Sequence, residues 1–270
     1  MATIREISEK KPWVNWVLFD HGFTAEAMEH YFDSLGFYDW VHGLSRAPMV
    51  KAQHPDYEIY RTGIHAARGV SCADCHMPYR REGGIKFTNH HLRSPLADIS
   101  GSRQVCHRES EEVIRNTVYE RQDMVFDLRR RVERNLAAAH IEAGTAWDAG
   151  ATEEEMEDIL QLIRRSQWRW DWVAAANGYG VHSPTEALRV LANSVDMAQE
   201  ARLLLSRVLS RYDVAQPVEL PDLSTMERAQ EYLGLNMEER RARKQEFLED
   251  VAPRWLEKAA AREEAYPHIR

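Results

Sequence analysis

The stretch "VSCADCHMPYRREGGIKFTNHHLRSPLADISGSRQVCHRES" constrains this chain more than any other, because it holds all three cysteines. Cys72, Cys75 and His76 spell C-x-x-C-H, the attachment pattern of haem c. In that pattern the two thiols add to the haem vinyl groups, and the histidine that follows can ligate the iron. Two plainer readings compete. A zinc half-site needs two more soft ligands at suitable spacing. A redox dithiol should sit near a βαβ pattern, which the sequence lacks. The second site is R-x-x-C-H, formed by Arg103, Cys106 and His107. A lone Cys-His pair is more often structural, but its proximity to the first motif favours a second haem held by a single thioether.

Residues 41–108 show little helical periodicity yet contain seven of the twelve histidines: His42, His54, His65, His76, His90, His91 and His107. Loop-rich backbone crowded with ligand residues predicts a region where cofactors replace a side-chain core. Without haem it should be disordered.

The flanking sequence is helical in pattern. Residues 24–40, "TAEAMEHYFDSLGFYDW", predict a helix capped by Thr24, with an incomplete capping box because position 27 is Ala27. Ile114, Val118, Val125, Leu128, Val132, Leu136, Ala139 and Ala143 recur at helical steps, with an end at Gly144 or at Ala149-Gly150. Thr152 with Glu153, Glu154 and Glu155 opens the next helix. Its buried face is predicted as Met156, Ile159, Leu160, Ile163, Trp170 and Val173, and it stops at Asn177, Gly178 and Gly180. Ser183-Pro184 starts a third helix. Its stripe of Ala187, Leu191, Ser194, Ala198, Ala201, Leu205 and Val208 suits close packing, within the subunit or across a dimer. The tryptophans of "SQWRWDW" read as helix packing. His21, His30, His42, His140 and His268 read as structural. The fold expected is mainly α: a loop-rich multihaem cytochrome c region followed by a bundle of long helices. The segments expected are 1–40 with one helix, 41–108 for haem, 109–212 as the bundle and dimerisation element, and 213–270 as a tail of short helices.

Net charge is −8, which argues against a nucleic-acid partner. No apolar run reaches the roughly 18 residues of a membrane span. The opening "MATIREISEKKPWVNWVLFDHGF" has no signal-peptide h-region. That conflicts with haem c, which bacteria attach outside the cytoplasm.

"APMVKAQHPDYEIYRTGIHAARGVSCADCHMPYRREGGIKFTNHHLRSPL", "QVCHRESEE", "AHIEAGTAWDAGATEEEM", "IRRSQWRWDWVAAANG", "AQEARLLL" and "LPDLSTMERAQEYLGL" occur in one order. Together they resemble the C-terminal half of ammonia-forming cytochrome c nitrite reductase, a pentahaem, largely helical, dimeric family, over roughly residues 20–255. The family's catalytic haem uses Cys-x-x-Cys-Lys, which is absent here, as are its other N-terminal haem motifs and its active-site arginine and tyrosine.

The resemblance implies roles residue by residue. His54 matches the catalytic histidine above the active haem. Lys51 (through its carbonyl) and Gln53 match ligands of the family's calcium. The glutamate and tyrosine that complete that site are missing. His76 matches a proximal haem ligand with His182 as its distal partner. His107 matches the next proximal ligand, with Cys106 as thioether and His65 distal. His91 matches the distal ligand of a haem attached in the other half. Arg103 stands where the family has a cysteine.

The resemblance further implies periplasmic six-electron reduction of nitrite to ammonium in the complete enzyme. It implies a quinol-linked or cytochrome electron donor, a homodimer, and no turnover by this chain alone. The alternatives are a one- or two-haem electron-transfer protein and a haem-free helical remnant.

Overall fold

The computed structural model describes residues 22–265, so the stretch read above for a leader lies largely outside it. The described residues form two compact units that divide between Val218 and Glu219.

In the first unit, three long helices make the frame: α6 (Glu111–Asp148), α7 (Glu153–Ala174) and α8 (Pro184–Arg211). Each start is dictated locally. The Ser110 hydroxyl accepts the Val113 N–H, and Thr152 forms a full capping box with Glu155. Pro184 occupies the first turn of α8, where its missing N–H costs nothing. α6 spans about 57 Å at about 1.5 Å per residue. It runs through Gly144 and stops at Asp148, followed by Gly150 at φ +100.

The apolar stripe of α8 is buried within the chain, against α6 and α7. Its small residues allow a close approach to α7. Ser166 Oγ donates to the Ser194 carbonyl at 2.8 Å, and Ser194 Oγ donates to the Ser166 carbonyl at 2.7 Å. On α7 the core positions are Met156, Ile159, Ile163, Trp168, Trp172 and Val173. Leu160 and Trp170, expected in the core, are only half-buried. Trp170 lies at the edge because its indole N–H bonds Glu133.

Ahead of this frame, the first helix is shorter than the sequence predicts. α1 covers Ala25–Ser34, capped by Thr24, and does not reach position 40. Gly36 at φ +61 ends it, since a left-handed residue breaks the helical ladder. Beyond it, β1 (Trp40–Val41) pairs antiparallel with β2 (Pro48–Met49). α7 clamps this region with polar side chains. Arg164 donates to Asp33 Oδ1 (3.0 Å) and to the carbonyls of Phe37 and Pro48 (both 2.8 Å). Arg169 pairs with Glu29, and Trp168 Nε1 bonds the Ala25 carbonyl. Asp171 accepts the Ala52 N–H at 2.7 Å.

Four short helices follow, α2 (Asp56–Tyr60), α3 (Ile64–Ala67), α4 (Cys72–His76) and α5 (Ile99–Ser102); α3 carries His65, and α4 carries Cys72, Cys75 and His76. Between α4 and α5 lies the hairpin of β3 (Tyr79–Glu82) and β4 (Ile85–Thr88), turned by Gly83 at φ +59. The expectation that 41–108 lacks a side-chain core needs correction. Ala47, Met49, Val50, Ala52 and Ile59 are buried with the long helices. Residues 64–107 are more open: Ile64, Leu92 and Val105 are exposed, and burial there is confined to Pro95, Ile99 and Ser102 around α5.

In the second unit, α9 (Met226–Tyr232) and α10 (Met237–Glu246) are capped by Thr225 and Asn236. A π-helical turn (Phe247–Val251) leads into α11 (Ala252–Ala265). No described helix is long and apolar enough to cross a membrane.

Candidate functional site

α4 starts with its own capping box, in which Ser71 and Asp74 bond reciprocally. One helical turn therefore presents Cys72, Cys75 and His76 in fixed order. All three cysteines are free thiols, and Cys72 and Cys106 are exposed. Burial pushes the Cys75 thiol up, with Arg103 opposing.

The imidazoles that follow the cysteines each face a second imidazole. The ring centres of His76 and His182 lie 6.2 Å apart, and those of His65 and His107 lie 6.1 Å apart. A metal–imidazole bond of about 2.0 Å, plus about 1.1 Å from nitrogen to ring centre, applied on both sides, gives about 6.2 Å. Both separations are therefore of the size that two imidazoles sharing one metal ion would give, with the rings inclined at 59° and 78°. Burial lowers the pKa of His182 and of His65, reinforced by His76 and His107 respectively. Neutral imidazole is the form that binds a metal.

Several residues that the sequence did not single out hold this arrangement. His182 lies in the α7–α8 turn, and its backbone is pressed against Gly63, the residue that caps α3. A Cβ on Gly63 would fall 2.2 Å from the His182 carbonyl oxygen. A Cβ on Gly178 would fall 2.7 Å from His182 Nδ1. The carboxylate of Asp56 accepts from Asn177 Nδ2 (2.9 Å) and from the Gly178 N–H (3.4 Å). Gln122 on α6 donates to the Gly178 carbonyl at 3.2 Å. His76 Nδ1 is 3.3 Å from the Arg93 carbonyl, which leaves its Nε2 free. The Tyr60 ring stands edge-on to His182 at 6.2 Å, and its buried hydroxyl has no described partner. The sequence marks Asn177 and Gly178 only as a helix stop, and Asp56, Tyr60, Gly63 and Gln122 carry no signal of their own.

The other candidates stand apart from these pairs. His54 is exposed with φ +48, a conformation uncommon outside glycine. His91 is exposed, and its N–H bonds Asn89 Oδ1. Lys51 and Gln53 are exposed, and the Lys51 N–H bonds Asp39 Oδ2 at 2.8 Å. Among the described residues, no group of three or more His, Cys, Asp or Glu is arranged to hold a metal ion. His42 and His140, read as structural, stack at 3.7 Å, and His140 Nδ1 lies 2.9 Å from Ser45 Oγ.

The cytochrome c552 family profile matches residues 4–264. The chain belongs to the cytochrome c552 family. It is 55% identical to cytochrome c-552 of Bacteroides thetaiotaomicron over 250 residues, covering 93% of this chain and 50% of that protein. To cytochrome c-552 of Parabacteroides distasonis it is 53% identical, covering 92% and 49%. The chain thus spans about half the length of these relatives. The cytochrome c nitrite reductase structure from Desulfovibrio desulfuricans superposes with a TM-score of 0.66 at 34% identity, covering 70% of this chain and 43% of that one. Relatives named as cytochromes accord with the haem c reading of Cys72, Cys75 and His76.

Proposed function

We propose that this cytochrome c552 family chain is a haem c-binding electron-transfer module. The observation that carries the reading is two imidazole pairs, His76 with His182 and His107 with His65, at 6.2 and 6.1 Å, the first ring of each following a cysteine. Cys72 and Cys75 would attach one haem, with His76 and His182 on its two faces. Cys106 would attach a second, with His107 and His65. Haem supplies one-electron chemistry through its iron. His76 and His182, and His107 and His65, would ligate the two irons and leave no coordination position for substrate, so each centre would be a carrier. The Arg93 carbonyl fixes the His76 tautomer, while Gly63, Gly178 and Asp56 fix the position of His182. The exposed Ile64, Leu92 and Val105 supply apolar surface for haem to cover.

A second reading is favoured by the nitrite reductase superposition and by the left-handed backbone at His54. Here the chain is one part of a periplasmic, homodimeric, ammonia-forming nitrite reductase. His54 would donate protons to nitrite and His91 would ligate a haem attached outside this chain. Electrons would come from a quinol-linked or cytochrome donor, and the chain alone would not turn over. Dimerisation would use faces other than the α8 stripe, which is consumed within the chain. The calcium expectation fits poorly. Lys51 and Gln53 supply two oxygens where calcium takes about six to eight, so no step rests on it.

The test is a haem-stained denaturing gel with intact mass, on chain matured with the haem c machinery and a supplied leader. Two haem masses support both pairs as carriers, and one supports Cys72/Cys75 alone. None overturns the proposal.

A further inference from the structure

α3 carries His65, and its hold on the rest of the fold is narrow. Between Arg61 and Val70 only Gly63 is buried. The backbone of His182 packs on it so closely that Gly63 has no room for a Cβ. Gly63 is also the junction of α2 and α3. Its N–H bonds the Tyr60 carbonyl at 2.9 Å, and its carbonyl accepts the Ala67 N–H at 3.2 Å. His65 follows two residues later, and its carbonyl accepts the N–H groups of Arg68 (3.1 Å) and Val70 (3.0 Å). These bonds tie Gly63 and His65 into one short turn, so a shift of Gly63 carries His65 with it. Each histidine pair therefore has one member at a single backbone contact: His182 directly, and His65 through Gly63.

We propose that the two histidine pairs are coupled through this contact. An iron bond to His182 fixes its turn, the turn fixes Gly63, and Gly63 sets His65 at its place opposite His107. The inference rests on the haem reading above. A short segment with few buried contacts lies at the low end of local stability, so α3 gains most from an added restraint. Ligation at one pair then favours ligation at the other, and the effect is reciprocal. The coupling gives the second haem, with its single thioether at Cys106, a distal ligand held in place by the first site. Gly63 touches no iron, so it is a positioning residue.

The test is the high-spin haem content of the ferric, haem-loaded chain, read by electron paramagnetic resonance with haem count fixed by intact mass. The unmodified chain should carry two low-spin haems. His182→Ala frees the first iron and releases its turn, while His65 and His107 stay unchanged. Coupled sites then give more than one high-spin haem per chain, or loss of the second haem with the first retained. One high-spin haem or none, with both haems loaded, overturns this inference alone. If His182→Ala loads no haem, Gly63→Ala, which keeps all four histidines, is read against the same outcomes. An unmodified chain that loads no second haem, or whose haems are high-spin, overturns the two-carrier reading and this inference together.

Discussion

Gly63 and His182 are 119 residues apart in sequence, yet a single added methyl on Gly63 would meet the His182 carbonyl oxygen at 2.2 Å. The contact is with backbone, so no side-chain rotation relieves it. Gly63→Ala should cost about 1–3 kcal/mol in urea unfolding, the usual range for overpacking. It should also remove the six-coordinate spectrum of a haem at Cys72/Cys75. Gly43, with open space around its Cα, is the control, and Gly43→Ala should stay within about 0.5 kcal/mol. Equal unfolding midpoints for the two variants would show that the turn moves freely.

Tyr60 hides a hydroxyl that no described group satisfies. Leaving such a group unpaired costs about 1–3 kcal/mol. Tyr60→Phe should therefore raise the stability of the haem-free chain by about 1 kcal/mol. A drop in the thermal midpoint would mean the hydroxyl has a partner in solution.

The stacked imidazoles of His42 and His140 predict acid sensitivity. Burial drops His140 to about 3, helped by His42, and burial also lowers His42. Both rings stay neutral in the fold while the unfolded chain takes up protons below its ordinary histidine pKa of about 6.5. Their contribution is full above that value and falls as pH drops from about 6.5 towards 3. For His140 the slope is about 1.4 kcal/mol per pH unit, and His42 adds to it in the same direction. His140→Gln should flatten the stability profile measured by urea titration between pH 7 and 5. An unchanged slope would place the titration elsewhere.

Arg164 is 5% exposed and ties Asp33, Phe37 and Pro48 to α7. Arg164→Met leaves Asp33 and two carbonyls short of a donor, and should cost about 3–5 kcal/mol. Arg189 makes ion pairs too, with Glu26 and Glu186, but in solvent. Arg189→Gln should cost less than about 1 kcal/mol. Thermal unfolding of both variants checks the contrast, and similar losses would contradict it.

Haem-free chain should be cut first by protease within 64–107, where Ile64, Leu92 and Val105 are exposed, while 111–211 resists. Segment 41–59 should share that resistance, because Met49, Val50 and Ile59 are locked to the long helices. Mass mapping of early fragments checks this, and uniform cutting would count against it.

Local rules settled much of this protein before any packing was known. Ser110, Thr152 and Pro184 mark helix starts because caps and first-turn prolines act on neighbouring backbone. The stripe of α8 reads correctly because burial follows the helical period. The haem c reading of Cys72, Cys75 and His76 could be made from sequence because the whole pattern lies within one helical turn. Short-range signals misjudged α1, where one left-handed glycine at Gly36 outweighed the residues beyond it. They also misjudged 41–59, whose apolar residues have no period of their own and find their core only against the long helices α6, α7 and α8. The approach of His76 to His182 and the tight seat that Gly63 and Gly178 make for His182 are decided by tertiary structure. Each depends on segments distant in sequence meeting at a few ångströms, and no local pattern records such a meeting.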